Sequence, residues 1–381
     1  MTTTTLRVIL DQVGGETPSG VGRYALELTR QLIGTAPRGC DVMGIVPSSP
    51  QEEYDRIEAE LPGLSRLFKS ALDRRQLAAA WQHGFSRLPG SGMVHAPSLF
   101  APLYRHDRLN NPGEQIVVTI HDAVPWTHPE TLPASAVAWS RAMAKRAQRY
   151  ADAIVVPTHA VAEQLTEALD LGDRIRVIAG AVSSTLALPD DAEERAARLG
   201  LPSRYVLAMG PFEARKGISE LIWALADPTA PAIPLVLAGP PSHADVDLDE
   251  VRKGARLSPD SVTALGALHD ADLAVVYDRA AAVVVPSLAE GFALPVLEAM
   301  SLGTPVIHSD APALLELAAD AGLVVERDDF AGYPRRLAEA IRRVLEEPLL
   351  ADELAVRGHD RVHAFSWRDA AEKTWQLHAD L

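Results

Sequence analysis

A run of small and β-branched apolar residues at 281–285 stops at Pro286, and the segment that begins there constrains the local fold more tightly than any other part of the chain. Residues 286–305 read P-S-L-A-E-G-F-A-L-P-V-L-E-A-M-S-L-G-T-P. An unbroken apolar run marks a strand covered on both faces, as in a parallel sheet. Gly291 breaks that strand, and Pro295 suits the first helical position, where its missing N–H would have had no partner. Gly303 supplies the left-handed stop at the helix end. The segment is therefore predicted to run from buried strand through loop to helix. Glu290 falls in the loop at the carboxyl end of the strand, and Glu298 about one turn into the helix. Open α/β sheets bind ligands at that edge. The N–H groups of Phe292, Ala293 and Leu294 would line the helix start, where partial positive charge suits a phosphate. The two carboxylates taken alone have a second explanation, because acidic residues favour any helix N-terminus.

The same alternation recurs along the chain. Strands are predicted at residues 6–10, 42–46, 93–98, 115–120, 153–157 and 177–178, then at 205–209, 235–238, 262–266, 304–308 and 323–325. Helices are predicted after Gly22, after Thr158, at 218–225 and at 367–381. Residues 183–201, with Pro189-Asp190-Asp191 and a charged helix, read as the entrance to a second domain. A chain of 381 residues with 47% hydrophobic content can build two domains, each with its own core.

Composition removes several classes of function. No apolar run approaches the roughly 18 residues that a membrane span needs, and residues 1–10 do not read as a signal peptide. The single cysteine, Cys40, gives no internal disulfide and fits a reducing, cytoplasmic setting. The net charge of −15 is uneven: residues 1–185 hold 18 basic and 19 acidic residues, and the remainder 18 and 32. So acidic a second half is a poor partner for nucleic acid, whose affinity comes mainly from phosphate neutralisation.

Several motifs fall at predicted strand ends. Gly14, Gly15, Gly20 and Gly22 punctuate the loop after the first strand, and residues 20–25 match the dinucleotide pattern G-x-G-x-x-A. About ten residues separate them from the strand, and the acidic residue expected at the end of the second strand is missing, since Asp41 precedes residues 42–46. Residues 65–88 set Arg66, Lys69, Arg74, Arg75 and Arg87 among Leu67, Phe68, Leu72, Leu77 and Trp81. A basic amphipathic helix there would either pack on the sheet or lie on an anionic membrane. His121, in Thr119-Ile120-His121-Asp122, opens a loop at another strand end. Arg215 and Lys216 lie between a strand and a helix, a placement suited to a diphosphate, with Lys a point charge and Arg a fork. Asp245, Asp247 and Asp249 have the alternation of a metal-binding D-x-D, but they open a helix, where acidic residues suit the dipole.

Taken with these motifs, Glu290 and Glu298, with seven residues between them and framing G-F-A-L-P, resemble the E-x7-E signature of retaining GT-B glycosyltransferases of family 4. The G-x-G-R-Y loop around Gly22, the H-D pair at His121 and the R-K form of the basic motif resemble that family too. Two departures stand out: Pro211 replaces the arginine usual after the strand glycine, and Ala179-Gly180-Ala181-Val182-Ser183 replaces the usual P-N-G-V-D. The resemblance implies an α/β GT-B fold, two Rossmann-like doubly wound domains facing a central cleft. The acceptor-binding domain would span residues 1–183, the nucleotide-sugar domain 184–365, and a helix at 366–381 would cross back. It implies retaining transfer of a hexosyl group, with a lean towards mannosyl, from a GDP- or UDP-linked sugar to a glycan or lipid-linked hydroxyl. No metal or cofactor is called for. The catalytic residues would be His121, Lys216 and Glu290. Gly22, Arg215, Lys216, Glu290, Phe292, Ala293, Leu294 and Glu298 would bind the donor. A lipid-linked acceptor would bring residues 65–88 to the inner face of the membrane. The alternatives are an NAD-dependent oxidoreductase through residues 20–25, a nucleotide-sugar epimerase or hydrolase of the same fold, and a non-enzymatic sugar-binding subunit.

Overall fold

Short, apolar strands separated by helices can only pair in parallel, because each helix returns the chain to the same end of the sheet. The computed structural model describes residues 4–13, 19–85, 88, 92–108, 110–111, 113–240 and 246–381. The chain divides into two units, Met1–Gly180 with Ser366–Leu381, and Ala181–Phe365.

In the first unit β1 (Thr4–Ile9), β2 (Cys40–Val46), β3 (Arg66–Lys69), β4 (Met93–Ala96), β5 (Ile116–Thr119), β6 (Ala153–Val156) and β7 (Ile175–Val177) form one sheet. Their order is β3-β2-β1-β4-β5-β6-β7, with every pairing parallel. β4, β5 and β6 are buried at every residue, as strands covered by helices on both faces must be. One core of this unit gathers Val94, Val118, Ile154, Trp81, Phe100 and Met143.

Three sequence expectations are corrected in this unit. Residues 65–88 are not one amphipathic helix: Arg66 and Lys69 belong to β3, and the helix is limited to Arg74–His83. That helix turns Leu77 and Trp81 into the core, so the apolar side proposed for a membrane is already covered; Arg87 lies outside the described residues. Gly20 and Gly22 open the helix Gly20–Gly34 instead of lying in the loop before it, while Gly14 and Gly15 lie outside the described residues. Asp41 is inside β2, paired with Thr5, because that strand starts two residues earlier than its apolar run.

The closing helix Trp367–Asp380 joins this unit through polar contacts that the core alone would not specify. Trp375 Nε1 donates to Leu32 O at 3.1 Å, and Gln115 Nε2 donates to His378 O at 2.6 Å. His378 Nε2 lies 3.4 Å from His95 Nδ1 on β4. Both rings are fully enclosed. Burial pushes His95 down to about 4 and His378 well below its ordinary value. The unfolded chain binds protons at these rings near pH 6.5 and the folded chain only at lower pH, near 4 for His95, so stability is lost as pH falls below the unfolded value. For His95 the loss amounts to about 3 kcal/mol. Denaturation midpoints measured from pH 7 to 4.5 should fall accordingly, with a shallower slope in His95→Asn; an equal slope in the variant would refute the assignment.

The second unit holds β8 (Val206–Met209), β9 (Leu235–Ala238), β10 (Val262–Ala264), β11 (Ala282–Val285), β12 (Val306–Ser309) and β13 (Leu323–Val325). Its order, β10-β9-β8-β11-β12-β13, is the doubly wound 3-2-1-4-5-6 arrangement. The sequence reverses direction between β8 and β11, which pair in parallel through Ala282 with Val206 and Val283 with Leu207. Chemistry is expected just beyond the carboxyl ends of those two strands.

Candidate active site

β8 and β11 deliver their following loops to the same place. After β8 the chain makes a single tight turn, Ala214–Lys216, and enters the helix Ile218–Leu225 through Gly217. Gly217 has φ +66°, and a Cβ there would sit 2.2 Å from Pro286 O. Only glycine lets the two loops approach so closely. The approach is sealed by a backbone hydrogen bond, Leu288 N to Arg215 O at 2.7 Å. From other directions Ser309 Oγ donates to Ser287 O, and Tyr333 Oη donates to Pro286 O at 3.2 Å. Arg327, held by Asp310, donates to Leu288 O. The loop carrying Glu290 is thus fixed before any ligand arrives.

Glu290 is 9% exposed. Lys216 Nζ donates to its Oε1 at 2.6 Å and Ser287 Oγ to the same oxygen at 2.7 Å. Arg215 Nη1 stands 3.7 Å from Oε2, while Arg215 Nε bonds Glu213 at 2.9 Å. Burial alone would raise the Glu290 carboxyl, but Lys216 and Arg215 outweigh it and hold it below the ordinary carboxylate range. Burial, with Arg215 adding its repulsion, pulls the Lys216 ammonium below its usual value. One of that ammonium's three N–H groups is directed to Glu290, which leaves two for a ligand.

The following helix is Leu294–Ser301, so Pro295 takes its second position rather than its first. Ala293 precedes it in the left-handed region at φ +54°, a conformation costly outside glycine and concentrated at functional sites. Among the described residues the N–H groups of Phe292, Ala293 and Leu294 have no protein acceptor. They are available at the positive end of the helix.

Glu298 is placed differently from Glu290. It is 4% exposed, and its Oε2 accepts from Tyr277 Oη at 2.7 Å. The two carboxylates of the seven-residue spacing therefore have separate tasks, one held by cations and one by a phenol. His121 and Gly22 belong to the other unit. His121 Nε2 donates to Pro97 O at 2.7 Å, and its ring meets Tyr24 edge-on at 4.8 Å. Burial lowers its pKa. Gly22 N donates to Ser19 Oγ, the helix cap, at 3.1 Å, which occupies an amide that a bound dinucleotide would use. Asp247 caps the helix Leu248–Gly254 and Asp249 pairs with Arg252; Asp245 lies outside the described residues. Ser287, Tyr277 and the tight contact at Gly217 carry no signature in the sequence, since serine, tyrosine and glycine are ordinary at such positions.

Two doubly wound parallel units, one of them presenting a basic pair, a carboxylate and a helix N-terminus at its switch point, define the GT-B class of glycosyltransferase. Comparison with known proteins sharpens this. Residues 18–185 match the model described as Glycosyltransferase Family 4, and residues 190–361 that described as Glycosyl transferases group 1. The chain belongs to the GT-B glycosyltransferases of family 4. It is similar to the O-antigen chain mannosyltransferase B of Escherichia coli, 28% identical over 93% of this chain and 94% of that protein. It is 26% identical to a D-inositol 3-phosphate glycosyltransferase of Catenulispora acidiphila, over 96% of this chain and 91% of the relative. Among solved structures, Anabaena HepE in complex with UDP and glucose superimposes with a TM-score of 0.74 at 18% identity, covering 99% of this chain and 100% of that one. Among the described residues no helix is long and apolar enough to cross a membrane.

Proposed function

We propose that the chain transfers a hexosyl group, mannosyl in the first instance, from a nucleotide diphosphate sugar to a hydroxyl of a glycan or lipid-linked acceptor, with retention and without a divalent metal. The observation that carries this is the Arg215–Lys216–Glu290 cluster beside three unspent amides at the switch point of β8 and β11. As the bond from C1 to phosphate breaks, negative charge develops on the diphosphate. Lys216, Arg215 and the amides of residues 292–294 stabilise it as preorganised groups do. Glu290 binds the sugar hydroxyls and favours the cationic ring. On the front-face route the acceptor oxygen bonds to C1 on the side that the phosphate leaves, and the acceptor proton passes to the departing phosphate oxygen. The mannosyl choice follows the name of the E. coli relative and the R-K motif, which also favours GDP as carrier.

A binding screen of GDP-, UDP- and ADP-sugars, followed by nucleotide release with and without acceptor, tests the reading. Acceptor-dependent release is expected; release without acceptor would instead indicate a hydrolase. Turnover should survive chelator, and loss restored by a divalent ion would overturn the metal-free mechanism.

Glu298 is assigned to the ribose hydroxyls, with Tyr277 aligning it. Glu298→Ala should weaken nucleotide binding about tenfold or more, the scale of a lost hydrogen bond to a charged group. Tyr277→Phe, which removes only the alignment, should cost less than Glu298→Ala. Calorimetric affinities equal to wild type in the Glu298 variant would reassign the residue.

A further inference from the structure

The first unit has a switch point of its own, between β1 and β4, and polar side chains meet there as well. Asp11 lies just past β1 and Ser98 just past β4, with Ser98 Oγ 3.5 Å from Asp11 Oδ1. A third segment completes the arrangement. Asp73 and Gln76 form a reciprocal capping box at the start of the helix Arg74–His83, which fixes its first residue. That residue, Arg74, directs Nε and Nη2 at Asp11 Oδ2, at 3.3 and 3.0 Å. Its guanidinium also lies 5.3 Å from the ring centre of the buried Phe100. The Asp11 side chain is 5% exposed and that of Arg74 52%, so the carboxylate forms the floor and the guanidinium the rim. Burial raises the Asp11 carboxyl, while Arg74, Gln12 and the residue's own N–H oppose it. Among the described residues Arg74 Nη1 has no hydrogen-bond partner.

We infer that Asp11 and Arg74 form the recognition subsite for the acceptor, and that this subsite takes an uncharged sugar ring. The inference rests on the glycosyl-transfer reading above. Neighbouring sugar hydroxyls are both donors and acceptors: one donates to Asp11 Oδ1, displacing the long contact from Ser98, and the next accepts from Arg74 Nη1. A phosphorylated acceptor is disfavoured, because Arg74 is already neutralised at 3.0 Å and Asp11 repels a second anion. The carboxylate thus acts against a competing ligand as well as for the correct one.

The test uses the full chain, a saturating nucleotide sugar, and two acceptors, a neutral mannosyl disaccharide and the same disaccharide bearing a phosphate. Wild type should prefer the neutral one. In Asp11→Asn the KM for the neutral acceptor should rise about tenfold or more, as for a lost charged hydrogen bond, and the phosphorylated acceptor should gain. Arg74→Met, a change at the rim, should weaken the neutral acceptor without that gain. A merely structural role would lower both acceptors alike and leave their ratio unchanged. Donor affinity by calorimetry should stay at the wild-type value in both variants. Normal donor binding with an unmoved acceptor ratio, or a wild type that prefers the phosphate, would overturn this inference. Absence of nucleotide-sugar binding in the wild type would count against the proposed function instead.

Discussion

Lys216→Ala is expected to lower turnover by about a hundredfold or more, the effect of removing one preorganised donor from a developing oxyanion. The loss should fall on kcat, because the charge that Lys216 meets is larger in the transition state than in the bound substrate. Stability should fall as well, for a separate reason. Lys216 and Glu290 are mostly enclosed, with side chains 13% and 6% exposed, and the truncation leaves a buried carboxylate with Ser287 and the more distant Arg215. Breaking such a pair from one side costs about 3 kcal/mol. The two effects separate in a double variant. Lys216→Met with Glu290→Gln removes both charges, so stability should recover while turnover stays low.

The pH behaviour is governed by the same pair. Because Lys216 and Arg215 hold Glu290 below its unfolded value, its contribution is present above the ordinary carboxylate pKa and is lost as pH falls through the lowered one. Lys216→Ala should move that acid limb upward. Normal turnover in Lys216→Ala would sink its phosphate role. Recovered turnover in the double variant would sink the claim that cation and carboxylate act separately.

How much of this was legible in the chain depends on the kind of interaction. Strands buried on both faces announce themselves as apolar runs, and 235–238 is observed where the pattern placed it; the helix 218–225 and the partly exposed strand 323–325 also fall at their expected positions. The helix starts after Thr158 and at the aspartates before Val251 were readable because such residues act on the first turn, two or three positions away; the structure adds that Asp247 itself is the cap. Residues 65–88 misled because charge and apolar spacing describe a surface, not a period. β3 and the helix Arg74–His83 have opposite periodicities inside one basic stretch. The helix Ala134–Tyr150 carries no side-chain cap and only three buried residues, all in its second half, so it offered little pattern to read. In the site, residue types and spacing gave Arg215, Lys216 and Glu290. They could not give Tyr277 against Glu298, or Asp11 against Arg74, because those pairs are far apart in sequence and exist only through the strand order.

Gly217→Ala is the second large effect expected, and it tests that strand order directly. Two costs add. The residue sits at φ +66°, where a Cβ costs about 1 kcal/mol or more. The new methyl would also stand 2.2 Å from Pro286 O, which neither backbone can accommodate without moving, an overpacking cost of about 1–3 kcal/mol. Separating the loops stretches the Leu288–Arg215 hydrogen bond and the Lys216–Glu290 pair, which span the same gap. Turnover should therefore fall along with stability, although the variant deletes no charged or catalytic group. Gly200 provides the control: its φ is +63°, and a Cβ there meets nothing within 4 Å. Gly200→Ala should cost about 1 kcal/mol and leave turnover near wild type. Denaturant unfolding and initial rates on both variants decide the matter. Equal losses of stability would mean that φ alone matters at Gly217, and that the meeting of the two loops is not what holds Lys216 against Glu290.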